Sequence, residues 1–98
     1  MNGGLTVIQS EPVLYVIRNN YRKIYAAEKK VADYVLQNPQ DAINANVSEL
    51  AKNSGVSDAT VIRMCHHLGY KGYYQFRLLL AKEVGRLDTT EEGSGRAG

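Results

Sequence analysis

The chain has 98 residues, of which 44% are apolar and 22% are charged. This length and composition fit one soluble globular domain with a modest core, and they argue against a disordered or fibrous chain. No apolar run approaches the roughly 20 residues that a membrane-spanning helix needs, and residues 1–4 lack the order of a signal peptide. We therefore expect a cytoplasmic domain. Cys65 is the only cysteine, so an intrachain disulfide is impossible.

The net charge of +2 conceals an uneven distribution of charge along the chain. Residues 18–82 include ten basic and five acidic side chains, whereas the end of the chain carries Asp88, Glu91 and Glu92. A surplus of five positive charges suits a polyanionic partner such as nucleic acid. It suits an ordinary solvated surface equally well, so charge alone does not decide between the two.

The two ends of the chain differ in composition from its middle. Residues 1–11 contain two glycines and no strong period, and residues 88–98 are polar and glycine-rich. We expect the first to be a flexible segment and the second to be a linker or an added tail. The folded domain is therefore predicted over residues 12–87.

Apolar residues at helical spacing predict two helices in the first half of this domain. The first begins near Pro12, a favourable first-turn residue. Its apolar stripe consists of Leu14, Ile17, Tyr21 and Ile24. The second helix spans about residues 27–38. Its charged residues are expected outside the apolar face of the helix, and they are Glu28, Lys29, Lys30 and Asp33. That face consists of Ala27, Val31, Tyr34 and Val35. Pro39 ends the second helix, and residues 41–43 suit one further short turn.

Capping residues predict the remaining helices. Asn46, with Glu49 three residues later, forms a capping box that starts a third helix, and Gly55 is free to take the left-handed conformation that ends it. Ser57 caps a fourth helix of about three turns. A fifth is expected over about residues 72–84, and no stretch alternates long enough to form a strand. The predicted fold is all-α, a compact five-helix domain.

The two helices within residues 46–68 meet the spacing requirements of a helix-turn-helix motif. Ala51 is small where the helices approach most closely, Gly55 turns the chain, and Val61 anchors the second helix. At 100° per residue, that helix has a core arc and an outward arc. The core arc consists of Val61, Met64, Cys65 and Leu68. The outward arc consists of Ala59, Thr60, Arg63, His66 and His67.

The outward arc predicts a recognition helix over about residues 57–68 that enters the major groove of DNA. We expect Arg63 to read sequence, because a guanidinium can donate two hydrogen bonds to guanine O6 and N7. The alternative for this residue is a surface ion pair. Ala59 is expected to meet a thymine methyl group, and Ser57 and Thr60 to bond phosphates. Capping and helix-surface roles suit the last three residues equally well.

Further contacts to the DNA backbone are predicted at the edges of the motif, where they would position the domain without reading sequence. The predicted DNA-binding residues are Ser48, Ser57, Ala59, Thr60, Arg63, His67, Lys71 and Tyr73. Lys52 and Tyr74 are additional candidates for backbone contacts. Packing in the core is an equally good role for the tyrosine rings.

No catalytic, cofactor-binding or metal-binding site is predicted. Cys65, His66 and His67 are adjacent on one helix, so their side chains project about 100° apart and cannot converge on one metal ion. The sequence has no glycine-rich phosphate loop, nucleophile elbow or pair of catalytic carboxylates. We therefore expect a DNA-binding domain that is not an enzyme. The alternative is a helical module that offers the apolar face of its first helix to a protein partner or to a second copy.

The chain also resembles the N-terminal domain of the RpiR family of bacterial transcription regulators. The resemblance is carried by VSELAKNSGVSDATVIRMCHHLGYKGYYQFRLLL and by the upstream AAEKKVADYVLQNP, and it is most specific over residues 56–72. It implies a domain that binds double-stranded operator DNA, usually as part of a homodimer. It also implies a sugar-isomerase-like C-terminal domain, absent from these 98 residues, that senses a phosphosugar.

Overall fold

The structure, a computed structural model, describes the backbone of residues 11–97 and the side chains of residues 11–86. This part of the chain contains six α-helices, one short 3-10 helix and no strand. The helices are α1 (Val13–Asn20), α2 (Ala26–Gln37), α3 (Pro39–Ile43), α4 (Val47–Ser54), α5 (Asp58–His67) and α6 (Tyr73–Ala97), with the 3-10 helix Tyr21–Lys23 after α1. Five of them correspond to the predicted helices, and α3 is the short turn expected before the third. The all-α fold class is confirmed.

The first helix ends earlier than the sequence pattern predicts. Beyond Asn20 the chain tightens into the 3-10 helix and then becomes extended at Ile24, whose side chain is nevertheless buried. The Asn20 side chain donates a hydrogen bond to the Val16 carbonyl at 2.8 Å. A side-chain amide that bonds the backbone in this way competes with regular helical hydrogen bonding.

The prediction for the second helix places two residues on the wrong side. Ala27 is exposed, whereas Glu28, expected outside the apolar face, is only 1% exposed. The Glu28 carboxylate accepts a hydrogen bond from the Tyr25 backbone N–H at 3.2 Å, so it caps the start of α2. It also bonds His67 from α5, which draws it into the interior.

The core gathers apolar side chains from every helix, and α5 packs against α2, α4 and α6. Ile17 is completely buried, and Leu14 and Tyr21 are half-buried against the same cluster. The apolar face of the first helix is therefore used inside the domain. The alternative role of that face as a docking surface is therefore not favoured.

The last helix is longer than predicted. Its expected end was near Val84, but α6 continues to Ala97. No proline follows Val84, and the glycines of this segment lower helix propensity without removing a hydrogen-bond donor. No helix in the described part of the chain is both long enough and apolar enough to cross a membrane. The flexible segment predicted over residues 1–11 lies, apart from Glu11, outside the described residues.

Candidate DNA-binding surface

The third predicted helix, α4, has the expected cap at each end. At its start, the Asn46 side chain accepts a hydrogen bond from the Glu49 backbone N–H at 2.8 Å, and Glu49 accepts one from the Asn46 N–H at 2.9 Å. At its end, Gly55 has φ +76°, and the Val56 N–H donates to the Ala51 carbonyl at 2.9 Å. The capping box and the glycine turn are confirmed, and together they set the direction in which α5 leaves α4.

The fourth predicted helix, α5, is also capped at both ends. Ser57 accepts a hydrogen bond from the Thr60 backbone N–H at 3.2 Å. After the helix, Gly69 has φ +98°, and the Tyr70 N–H donates to the Cys65 carbonyl at 2.9 Å. Both helices of the motif therefore end in the same type of glycine cap, and α5 has a defined length of nearly three turns.

The buried side of α5 is wider than the predicted core arc. Val61, Met64, Cys65 and Leu68 are buried as expected. Thr60, expected on the outward arc, is only 7% exposed, and its hydroxyl lies 3.0 Å from the Ser57 Oγ. The prediction that Thr60 faces outward is wrong, because α5 is surrounded by three helices rather than resting on one. Its hydroxyl contributes to the N-terminal cap.

The exposed side of α5 forms one continuous face. Ala59, Ile62, Arg63 and His66 are all exposed, at the i, i+3, i+4 and i+7 spacing that aligns residues along a helix. Arg63 makes no hydrogen bond or ion pair with any residue that the structure describes, so the alternative of a surface ion pair is not realised there. We call these four residues the exposed face of α5. Sequence reasoning missed Ile62, although its spacing from Ala59 and His66 was available.

Polar contacts at the edges of the motif brace this face. The Ser48 hydroxyl donates to the Asp58 carboxylate at 2.7 Å, which ties the start of α4 to the start of α5. The Lys71 carbonyl lies 3.0 Å from the His66 Nε2. Because a carbonyl can only accept, that imidazole nitrogen donates. The Lys71 side chain itself is exposed next to the end of α5.

Two predicted contact residues use their polar atoms inside the protein. The Nδ1 atom of His67 is 2.8 Å from the Glu28 carboxylate, and its ring meets the Tyr25 ring edge-on. The Tyr73 hydroxyl donates to the Ala45 carbonyl at 2.6 Å, and burial raises its pKa to about 12. Any phosphate contact through these atoms would compete with the internal bonds.

Cys65 belongs to the core side of α5, away from the histidines that follow it. Burial raises the pKa of its thiol to about 12, so it stays protonated at neutral pH and lacks the thiolate that a nucleophile or metal ligand needs. Among the residues that the structure describes, no three His, Cys, Asp or Glu side chains converge as metal ligands. The chemistry of this surface is that of hydrogen bonding, charge and apolar contact.

A capped helix-turn-helix with a free arginine on its exposed face is typical of transcription factors. Residues 12–86 match the family described as "Helix-turn-helix domain, rpiR family". The chain belongs to this family. The resemblance noted in the sequence is confirmed, and the chain is a DNA-binding domain of the kind found in transcriptional regulators.

Curated relatives of this rpiR-family domain include transcriptional regulators of several bacteria. An uncharacterised HTH-type transcriptional regulator of Haemophilus influenzae is 36% identical over 86% of this chain and 29% of its own length. YbbH of Bacillus subtilis is 36% identical over 86% of this chain and 26% of its own length. HexR of Pseudomonas aeruginosa is 36% identical over 74% of this chain and 25% of its own length. The chain therefore spans less than a third of these relatives.

Two solved structures share the fold. The N-terminal domain of the putative transcriptional regulator ybbH from Bacillus subtilis superposes with a TM-score of 0.71 and 36% identity, over 74% of this chain and 89% of that one. The Vibrio vulnificus NanR protein complexed with ManNAc-6P gives a TM-score of 0.72 and 34% identity, over 84% of this chain and 31% of that one. In NanR, a domain of this fold is thus part of a longer protein.

Proposed function

We propose that this rpiR-family domain binds operator DNA by placing α5 in the major groove, with the exposed face of α5 against the base edges. The supporting observation is the Arg63 guanidinium, which is exposed in the second turn of α5 and has no partner among the described residues. Helix-turn-helix proteins contact bases with the N-terminal part of their second helix. Arg63 is our candidate for the residue that reads a guanine.

Contacts to phosphates would position α5 on the DNA without reading its sequence. Ser48, Ser57, Lys52 and Lys71 lie around the motif, and the two lysine side chains are exposed. The hydroxyls of Ser48 and Ser57 are already bonded to Asp58 and Thr60. We therefore expect the lysines to contribute more to non-specific affinity than the serines.

Mobility shifts with a sequence selected from a random DNA pool test this proposal. Arg63→Lys keeps the positive charge and removes the two-pronged donor, so we expect a loss of about 5- to 150-fold for the selected sequence and little change for unrelated DNA. Lys71→Ala is the matched control, which weakens binding to all sequences alike and reduces the salt slope by about one. Full base preference in the Arg63→Lys variant would contradict the assignment.

We further propose that residues 12–87 form the DNA-binding part of a longer cytoplasmic regulator that binds as a homodimer and responds to a phosphosugar. NanR, a longer protein with a domain of this fold, was solved in complex with ManNAc-6P, which supports an effector of that class. The domain acts by binding, as repressor or activator, rather than by catalysis. Operator binding by the full-length regulator, titrated with a panel of phosphosugars, checks the effector. Insensitivity to every member would contradict it.

A further inference from the structure

One member of the exposed face of α5 has no hydrogen-bonding group. Ile62 is 38% exposed, and it is the one large apolar side chain of α5 that is exposed to this degree in the described part of the chain. Isoleucine has a lower helix propensity than alanine, and the solvent-exposed part of its side chain gains nothing from packing within the domain. The exposed part of the Ile62 side chain is therefore available for contact with a partner.

The neighbours of Ile62 define what it would meet in a DNA groove. Ala59 lies one turn before it on the same face, Arg63 is next in sequence, and His66 lies one turn after it. Ala59 and Ile62 together make a short apolar strip beside the two polar side chains. Among the groups that base pairs present in the major groove, the C5-methyl group of thymine is the apolar one.

We propose that Ile62 is a specificity-determining residue that recognises the 5-methyl group of a thymine. This inference rests on the proposed placement of α5 in the major groove. Thymine pairs with adenine and guanine with cytosine, so this thymine belongs to a different base pair from the guanine that Arg63 contacts. The angle of about 100° between the Ile62 and Arg63 side chains is compatible with contacts to two base pairs. Removing one methyl group from water against an apolar side chain is worth about 0.8 kcal/mol, or about fourfold in affinity.

Deoxyuridine differs from thymidine only in lacking this methyl group, so it isolates the contact. Each thymine of the selected half-site is replaced in turn, and binding is measured for the wild-type chain, Ile62→Ala and Ile62→Val. We expect one replacement to weaken wild-type binding about fourfold and to leave Ile62→Ala binding unchanged. Ile62→Val should keep part of the effect. Circular dichroism should show all variants folded, because the side chain is exposed.

Ala59→Ser is the matched control, since Ala59 is the other apolar residue of the face. If Ala59→Ser removes the uracil effect and Ile62→Ala preserves it, the methyl contact belongs to Ala59 and the inference is overturned. A selected half-site without thymine, or one in which no uracil substitution affects binding, overturns it as well. In these cases the proposed function stands if Arg63→Lys still loses sequence preference. If no DNA sequence is preferred at all, the proposed function fails, and this inference fails with it.

Discussion

At the scale of single residues, the Glu28 carboxylate connects the start of α2 to the end of α5. Its Oε1 accepts hydrogen bonds from the His67 ring at 2.8 Å and from the Tyr25 backbone N–H at 3.2 Å. Its Oε2 is buried and has no hydrogen-bond partner in the described residues. Leaving one oxygen of a buried carboxylate unpaired is unfavourable. The two hydrogen bonds to Oε1 offset this cost.

We expect Glu28→Ala to lower the free energy of unfolding by about 2 kcal/mol, because the cap is lost and the His67 ring loses its partner. Glu28→Gln retains an acceptor oxygen for both donors and should lose less than half as much. Urea denaturation at neutral pH measures both values. The affinity of the two variants for the selected DNA would also show whether the position of the end of α5 depends on the hydrogen bond between Glu28 and His67.

Glu49→Ala provides a matched control for the buried bond. Glu49 occupies the equivalent position in α4 and accepts a hydrogen bond from the Asn46 N–H, but it is exposed and has no histidine partner. Its replacement should therefore remove a cap alone, at about 0.5–1 kcal/mol. Equal losses for Glu28→Ala and Glu49→Ala would mean that the bond to His67 adds nothing to stability.

At the scale of secondary-structure elements, the angle between α4 and α5 depends on the turn at Gly55. Its φ of +76° lies in the left-handed region, and the Val56 N–H closes the end of α4 by bonding the Ala51 carbonyl. A Cβ atom at Gly55 would meet no other atom within 4 Å. Any effect of a substitution here therefore comes from the backbone conformation rather than from a clash.

Gly55→Ala is expected to destabilise the domain by about 1 kcal/mol, which is the scale of the left-handed penalty for a residue with a Cβ. Gly55→Asn should lose less, since asparagine tolerates this conformation better. Gly72→Ala is the control: its Cβ would also meet nothing within 4 Å, but its φ is not in the left-handed region. Thermal unfolding compares the three, and a Gly72→Ala variant as unstable as Gly55→Ala would refute the backbone argument.

The caps of these elements could be predicted from sequence because their signals are local. Asn46 and Glu49 are three residues apart, and Gly55 and Ser57 mark the ends of adjacent helices, so each interaction is contained in a few residues. The burial of Thr60, in contrast, could not be predicted from neighbouring residues in the sequence. Its burial depends on how α2, α4 and α6 surround α5, which a helical projection of α5 alone does not contain.

The hydrogen bond between Glu28 and His67 could not be predicted from the sequence either. Glu28 and His67 are 39 residues apart in sequence, and a hydropathy pattern assigns both to the surface. Only the packing of α5 against α2 brings the carboxylate and the imidazole together. Ile62 was missed for a different reason: it was placed on neither arc of α5, although its spacing from Ala59 and His66 is a local signal that puts it on their face.

At the scale of the whole molecule, one domain offers a narrow reading surface. The exposed face of α5 consists of four residues over two turns, so in the proposed DNA complex a single copy would read only a few base pairs. Such short sequences recur frequently by chance, and specificity in a genome depends on the ratio of specific to competing sites. In the proposed homodimer, binding two half-sites at once would supply most of the selectivity.

Binding by two copies predicts a dependence on half-site spacing. Sequences selected by the full-length regulator should contain inverted half-sites whose centres lie about 10–10.5 base pairs apart, or a multiple of that. Inserting about five base pairs rotates one half-site to the opposite side of the duplex, so the affinity should fall toward that of a single half-site. Inserting about ten base pairs returns the half-site to the same side, so part of the lost affinity should be restored. Mobility shifts on this series measure the effect. Equal affinity at every spacing would mean that the two copies bind independently, and the proposed homodimer would then have no role in operator choice.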